Sequence, residues 1–221
     1  MRYITAVVLF IFFAFAQWWG LTQTPPDAMM GEVQKIMYAH VPAAWNSFLA
    51  FFVVFIASIA FLIRKKRRPE PAEGMFWDRL ARSAAEVGVV LTGLTLCLGS
   101  IWGRPTWGVW WTWDARLTTT AILFFLYVGY LSFRKFVDNP ERRAKLAAPL
   151  GVLIFLNVPI VYFSVKWWRT LHQVQSSPST MDPAMVLALR LNAFAFLGVL
   201  ILFIYWRYQI AKRKSEHEEA L

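Results

Sequence analysis

Six stretches of this chain read as long apolar helix: residues 3–19, 42–63, 82–101, 117–135, 147–167 and 184–206. Each runs to about 20 residues, and at 1.5 Å of rise per residue such a helix crosses the roughly 30 Å hydrocarbon layer of a bilayer. The connections between them alternate between basic and tryptophan-bearing. No internal repeat, low-complexity tract or soluble domain interrupts the pattern. The expected fold class is therefore all-α: a polytopic membrane protein built as a six-transmembrane-helix bundle. Residues 1–221 are expected to form a single integral membrane domain, with 102–116 as an outward-facing, tryptophan-rich loop within it.

Composition agrees with this reading. Hydrophobic residues make up 58% of the 221 positions and charged residues 16%, where a soluble domain carries about a quarter charged. The net charge of +10 is the kind of value that attracts nucleic acid, but its placement points elsewhere. Arg2, the 64–82 connection (Arg64, Lys65, Lys66, Arg67, Arg68, Arg79, Arg82), the 134–145 connection (Arg134, Lys135, Arg142, Arg143, Lys145) and the tail (Arg207, Lys212, Arg213, Lys214) hold seventeen of the 23 basic residues. In a six-span topology all of them fall on one side, which is the cytoplasmic signature. Both termini are then cytoplasmic, the bilayer is the partner, and no nucleic-acid role is expected. Pro69 and Pro71 belong to a solvated inner loop. Arg2, the run Ile4–Phe15 and Ala14-Phe15-Ala16 also resemble a signal peptide with a small-residue cleavage site. The bulky Gln17-Trp18-Trp19 favours an interfacial anchor and a retained first span. Cys97 reads as a small buried helix residue, and the absence of a Cys-x-x-Cys-His motif excludes covalent haem attachment by that route.

The chemistry-bearing residues cluster on the outer side. His217 sits in a charged, solvated tail. His40, at the outer mouth of the second span, and His172, just past the outer end of the fifth, share one membrane level. A lone interfacial histidine is usually a hydrogen-bonding side chain. Two at equal depth can act as axial ligands of one haem iron. Zinc is the competing ion, but it wants three or four protein ligands, and the outer side offers no cysteine and few acids.

Between them lies a segment with Trp102, Trp107, Trp110, Trp111 and Trp113. Indole rings cover a flat apolar disc with large area and little lost entropy; an interfacial belt is the plainer use of such residues. Gly103, Pro105 and Gly108 are expected to hold the segment as a shaped loop rather than a helix. Asp114 reads either as the N-cap of the fourth span or as a site residue. Arg104 and Arg116 bracket the segment, and a guanidinium fork matches a propionate carboxylate. Arg190, inside the sixth span, reads as a snorkelling side chain. Pro159, after Asn157, is expected to kink the fifth span.

At these residues the chain resembles the tryptophan-rich "WWD" haem-handling membrane proteins, through Trp107-Gly108-x-x-Trp111-x-Trp113-Asp114. Four flanking blocks narrow the resemblance to the cytochrome c maturation protein C family: Gln34-Lys35-Ile36-Met37-Tyr38-x-His40-Val41-Pro42-Ala43-Ala44-Trp45, Gly99-Ser100-Ile101-Trp102-Gly103-x-Pro105-Thr106, Asp114-Ala115-Arg116-Leu117-Thr118 and Trp168-x-Thr170-Leu171-His172-Gln173. The resemblance covers nearly the whole chain. It implies haem b, held non-covalently between His40 and His172 at the periplasmic face of the bacterial inner membrane. The tryptophan segment would face the ring, and the haem would pass to a membrane-anchored haem chaperone, maturation protein E. It also implies an ATP-binding cassette pair, maturation proteins A and B, and the small single-span maturation protein D as partners. This chain has no nucleotide-binding motif of its own. It has no paired carboxylates or nucleophile on the outer side, so a delivery role rather than an enzymatic one is expected, with no catalytic residues. Two other readings fit less well. A b-type electron-transfer subunit stacks two haems and needs four histidines at two depths. A secondary transporter needs midplane polar groups and repeats, where only Thr92, Thr95 and Asn157 stand.

Overall fold

The computed structural model describes residues 2–67, 71–172 and 178–219. Arg68 and Pro69 of the basic connection, Gln173 of the His172 block, and the side chains of Lys65, Lys66 and Arg67 lie outside the described residues. The described chain is mostly helical: α1 (Arg2–Thr22), α2 (Met37–Arg67), α3 (Pro71–Trp107), α4 (Ala115–Phe133), α5 (Pro140–Phe155), α6 (Asn157–Trp167) and α7 (Pro183–Glu219), with short 3₁₀ turns at Glu32–Ile36 and Pro178–Thr180. Six segments are long and apolar enough to cross a membrane: Tyr3–Thr22, Glu32–Arg64, Met75–Trp107, Ala115–Phe133, Pro140–Trp167 and Pro183–His217. The protein is a polytopic membrane protein, and each expected span has its helix.

Local chemistry sets the helix ends. Asp114 caps α4 by accepting from the Arg116 N–H, and Asn139 caps α5 by accepting from Arg142, with Pro140 at the first helical position. The fifth span breaks in two at Leu156. Pro159 has no N–H to offer the carbonyl of Phe155, and the Leu156 N–H turns to the carbonyl of Leu153 at 3.1 Å. Asn157 then ties the break to α4 by donating to the carbonyl of Thr119 at 3.0 Å.

The core joins α2 to α3, α4 and α6 around Phe51, Val54, Ala57, Ala84, Leu123, Tyr127 and Val161. Membrane helices pack closely through small residues, and Gly88 is the clearest case. A Cβ there would stand 2.5 Å from the Phe51 ring. That ring in turn stacks on Tyr127 of α4 with centroids 3.7 Å apart and planes 4° from parallel. Helix α1 rides on α7, fastened where Gln17 donates to Asn192 and Asn192 donates to the carbonyl of Ala16.

Two expectations need correcting. Cys97 is exposed on α3 rather than buried, because the packed face of that helix at this level is the Leu91–Thr95 side. The tryptophan segment is not a loop throughout: α3 continues through Trp107, and only residues 108–114 are irregular. A proline removes one hydrogen bond, here to the carbonyl of Ile101, and leaves the rest of the ladder in place; Thr106 Oγ1 separately donates to the carbonyl of Trp102 at 2.8 Å. The helix stops one residue after Trp107, at Gly108, whose φ of 80° no other residue type adopts cheaply.

Candidate functional site

The alternation of spans brings the start of α2, the end of α3, the start of α4 and the chain after α6 to one end of the bundle. A pocket opens there, lined by His40, Trp102, Trp107, Trp111, Arg116 and His172, together with Thr95, Gly99 and Thr120. It continues between α2 and α4 as far as Phe48 and Thr120, one turn from Phe51 and two from Tyr127.

His40 lies in the first turn of α2 and is nearly closed off from solvent. Its Nδ1 is 3.1 Å from the carbonyl oxygen of Thr95. A carbonyl only accepts, so Nδ1 carries the proton, and in the neutral ring Nε2 keeps its lone pair. The ring can approach α3 because residue 99 is glycine: a Cβ there would stand 3.0 Å from His40 Cε1. His172 reaches the same pocket from an irregular segment. Its ring centre is 6.5 Å from that of His40, with the planes 33° apart. Trp102 stands edge-on to His40 at 5.7 Å, and Trp107 lies 6.4 Å from His172.

Asp114 does both things the sequence left open. One carboxylate oxygen accepts from the Arg116 N–H at 2.9 Å and caps α4; the other accepts from the Leu171 N–H at 2.8 Å. The residue before His172 is thereby pinned to the start of α4. Partial burial alone would raise the Asp114 pKa. Hydrogen bonds from the Thr170 side chain and the Leu171 and Arg116 N–H groups outweigh it and hold the carboxyl below its ordinary value. The His172 N–H adds a bond to Thr170 Oγ1 at 3.0 Å. Arg116 points into the pocket and donates to the carbonyl of Tyr162 at 3.4 Å.

Of the ten residues singled out from sequence, the pocket gathers His40, His172, Trp102, Trp107, Trp111 and Arg116. Asp114 supports it from behind. Trp110 and Trp113 turn outward, 58% and 83% exposed, and Arg104 folds back onto the carbonyl of Gly108 at the end of its own helix. Sequence reasoning gave no site role to Thr95 or Gly99. Their spacing of four places them on one face of α3, one turn before Trp102, and that register was the available signal. Chemically, the pocket offers two imidazoles within reach of a common centre, aromatic walls and one guanidinium.

The whole chain, residues 1–221, matches the family model for heme exporter protein C. It is 40% identical over 204 residues to the heme exporter protein C of Bradyrhizobium diazoefficiens, covering 88% of this chain and 74% of that one. It is 40% identical over 177 residues to a ccmC-like mitochondrial protein of Marchantia polymorpha whose name assigns it to cytochrome c biosynthesis, covering 79% and 72%. It is 36% identical over 180 residues to the heme exporter protein C of Escherichia coli K12, covering 81% and 70%. With a full-length family match and these relatives, the chain belongs to the heme exporter protein C family.

Proposed function

We propose that this protein holds haem between His40 and His172 and delivers it for cytochrome c biogenesis, as the names of its relatives suggest. Haem is here the cargo, bound without a covalent bond. The observation that carries the reading is the spacing of the two imidazoles. A metal–imidazole bond is about 2 Å and the ring centre lies about 1 Å further out, so two rings on opposite sides of one iron stand roughly 6 Å apart. His40 and His172 stand at 6.5 Å. The bond from His40 Nδ1 to the Thr95 carbonyl is the outer-shell contact that orients a metal-binding imidazole and leaves Nε2 as the donor. Trp102, Trp107 and Trp111 supply apolar ring area against a porphyrin, and Arg116 supplies a guanidinium for a propionate.

The rest of the reading follows from charge and family. The end bearing Arg64, Arg79, Arg82, Arg134 and Arg143 faces the cytoplasm, so the histidine pocket opens on the periplasmic side of the inner membrane. The cargo is haem b. The recipient is the haem chaperone, maturation protein E. Maturation proteins A and B, the ATP-binding cassette pair, and the single-span maturation protein D complete the assembly. Trp110 and Trp113, turned away from the pocket, are available to the chaperone. The protein presents its cargo and has no catalytic role.

The test is the visible and magnetic circular dichroism spectrum of the detergent-purified protein, with and without the co-expressed chaperone, beside His40→Ala and His172→Ala. The expected result is a low-spin bis-imidazole signature that loses one axial nitrogen in each variant. A spectrum indifferent to both substitutions would remove the haem clamp.

A further inference from the structure

The end of the bundle opposite the histidine pocket carries a second concavity, where the start of α3, the end of α4 and the start of α5 meet the last turns of α7. Asp78, Arg79, Arg82, Arg134, Arg143 and Lys214 line it. The single acid among these six is already committed. Both oxygens of Asp78 accept from Arg134, at 2.8 and 2.6 Å, and both side chains are almost fully buried. Arg82 is held by Glu86 at 3.0 Å, and the same carboxylate binds Arg207 at 2.5 Å. Arg79 differs. Its guanidinium has no hydrogen-bond or ion-pair partner among the described residues, and its Nε is shielded from solvent. A shielded N–H without an acceptor is costly, and native structures supply one.

We propose that this concavity binds the phosphodiester headgroup of an anionic phospholipid. A guanidinium fork matches phosphate oxygens with two parallel bonds, and Arg143 and Lys214 add charge from two further helices. Basic hollows between membrane helices on the cytoplasmic side suit acidic headgroups. Two observations favour a lipid over soluble phosphate. The site lies at helix ends, beside membrane spans that begin at Met75 and Pro140, which is headgroup level. Beside it, α3 and α7 turn apolar surface outward: Phe76 packs edge-on against Tyr208 at 5.5 Å, and Phe76 and Ile210 are both well exposed. An acyl chain descending from the bound phosphate would run along that surface. The lipid would then brace the α7 tail against α3 and α5.

The experiment is native mass spectrometry of the full-length protein released from a non-ionic detergent, titrated separately with phosphatidylglycerol, phosphatidylcholine and inorganic phosphate. One phosphatidylglycerol should be retained at a saturable site, about tenfold more tightly than phosphatidylcholine. Arg79→Gln should weaken it about tenfold, the size of one lost charge-assisted pair. Lys212→Gln, whose ammonium lies outside the hollow and faces Glu216 at 3.6 Å, should leave it unchanged. Should Arg79→Gln fail to fold, Arg143→Gln takes its place with the same expectation. Equal phosphatidylglycerol binding in wild type and variant, or equal binding of the two lipids, would overturn the site. Displacement of phosphatidylglycerol by inorganic phosphate at equal concentration would overturn the lipid assignment. None of these readouts involves haem, so they stand apart from the clamp at the other end.

Discussion

At the His40 end of the bundle, side chains are aimed by groups that carry no positive charge: the Thr95 carbonyl orients one imidazole, and the Asp114 carboxylate pins the segment bearing the other. At the Asp78 end, positions are set by ion pairs in which most of the charge is cancelled, Asp78 with Arg134 and Glu86 with Arg82 and Arg207. The first arrangement places two imidazoles in an open pocket. The second commits Arg134, Arg82 and Arg207 to carboxylates and locks helices together, and it leaves Arg79 beside them without a partner among the described residues. On the two readings proposed above, a ligand goes to the groups outside the locked pairs, the imidazoles at one end and Arg79 at the other, because a locked pair has no capacity left for a ligand.

Three substitutions sharpen the contrast, from the largest expected effect down. Asp78→Ala leaves Arg134 buried without its partner, and breaking such a pair costs about 3–5 kcal/mol. Thermal unfolding in detergent should show a large drop. The double variant Asp78→Ala/Arg134→Met should recover most of it, since the cost lies in the uncompensated charge.

Gly99→Ala acts at the other end and should separate stability from the site. Alanine gains about 1 kcal/mol over glycine in a helix. Against this, the new Cβ lies 3.0 Å from His40 Cε1, and overpacking costs about 1–3 kcal/mol. The unfolding temperature should therefore move little while the imidazole is displaced, so the haem Soret band per protein should fall. An unchanged Soret band would show that the approach of His40 to α3 does not matter to the pocket.

Asp114→Asn should have the smallest effect on the pocket and cost about 1 kcal/mol of stability, because asparagine still caps α4 but cannot accept from both N–H groups. Its signature is local: faster amide exchange at Leu171 and His172. The pH dependence follows from the lowered Asp114 pKa. A depressed carboxyl contributes stability that is fully present above its unfolded value of about 3.9 and is lost as pH falls through the lower folded value. Protection of Leu171 in the wild type should thus be constant from neutral pH down to about pH 4 and decline only below it; the Asn variant should lack that decline.

Much of this molecule was legible in the chain. His40, His172, Trp102, Trp107, Trp111 and Arg116 were all named from type and depth, and the pocket collects them. Asp114 could not be assigned between cap and site because its two carboxylate oxygens do separate work, on Arg116 two residues away and on Leu171 57 residues away. The loop expected over 102–116 was half wrong because composition counts helix-breaking residues, whereas a single proline removes one hydrogen bond and leaves the rest of the ladder in place. Helix α3 runs through Pro105 to Trp107.

By itself the sequence determined the number of spans, their approximate positions, and the end of the bundle that carries positive charge. These depend on apolar run length and loop composition, both local properties set by the thickness and charge asymmetry of a membrane. The tertiary structure alone decided which tryptophans share the histidine pocket and which face away. That choice depends on the helical phase of α3 through Pro105, on the left-handed turn at Gly108, and on α2 lying close enough to α3 for a carbonyl to hold His40. Facing is a relation between helices, and no single segment encodes it.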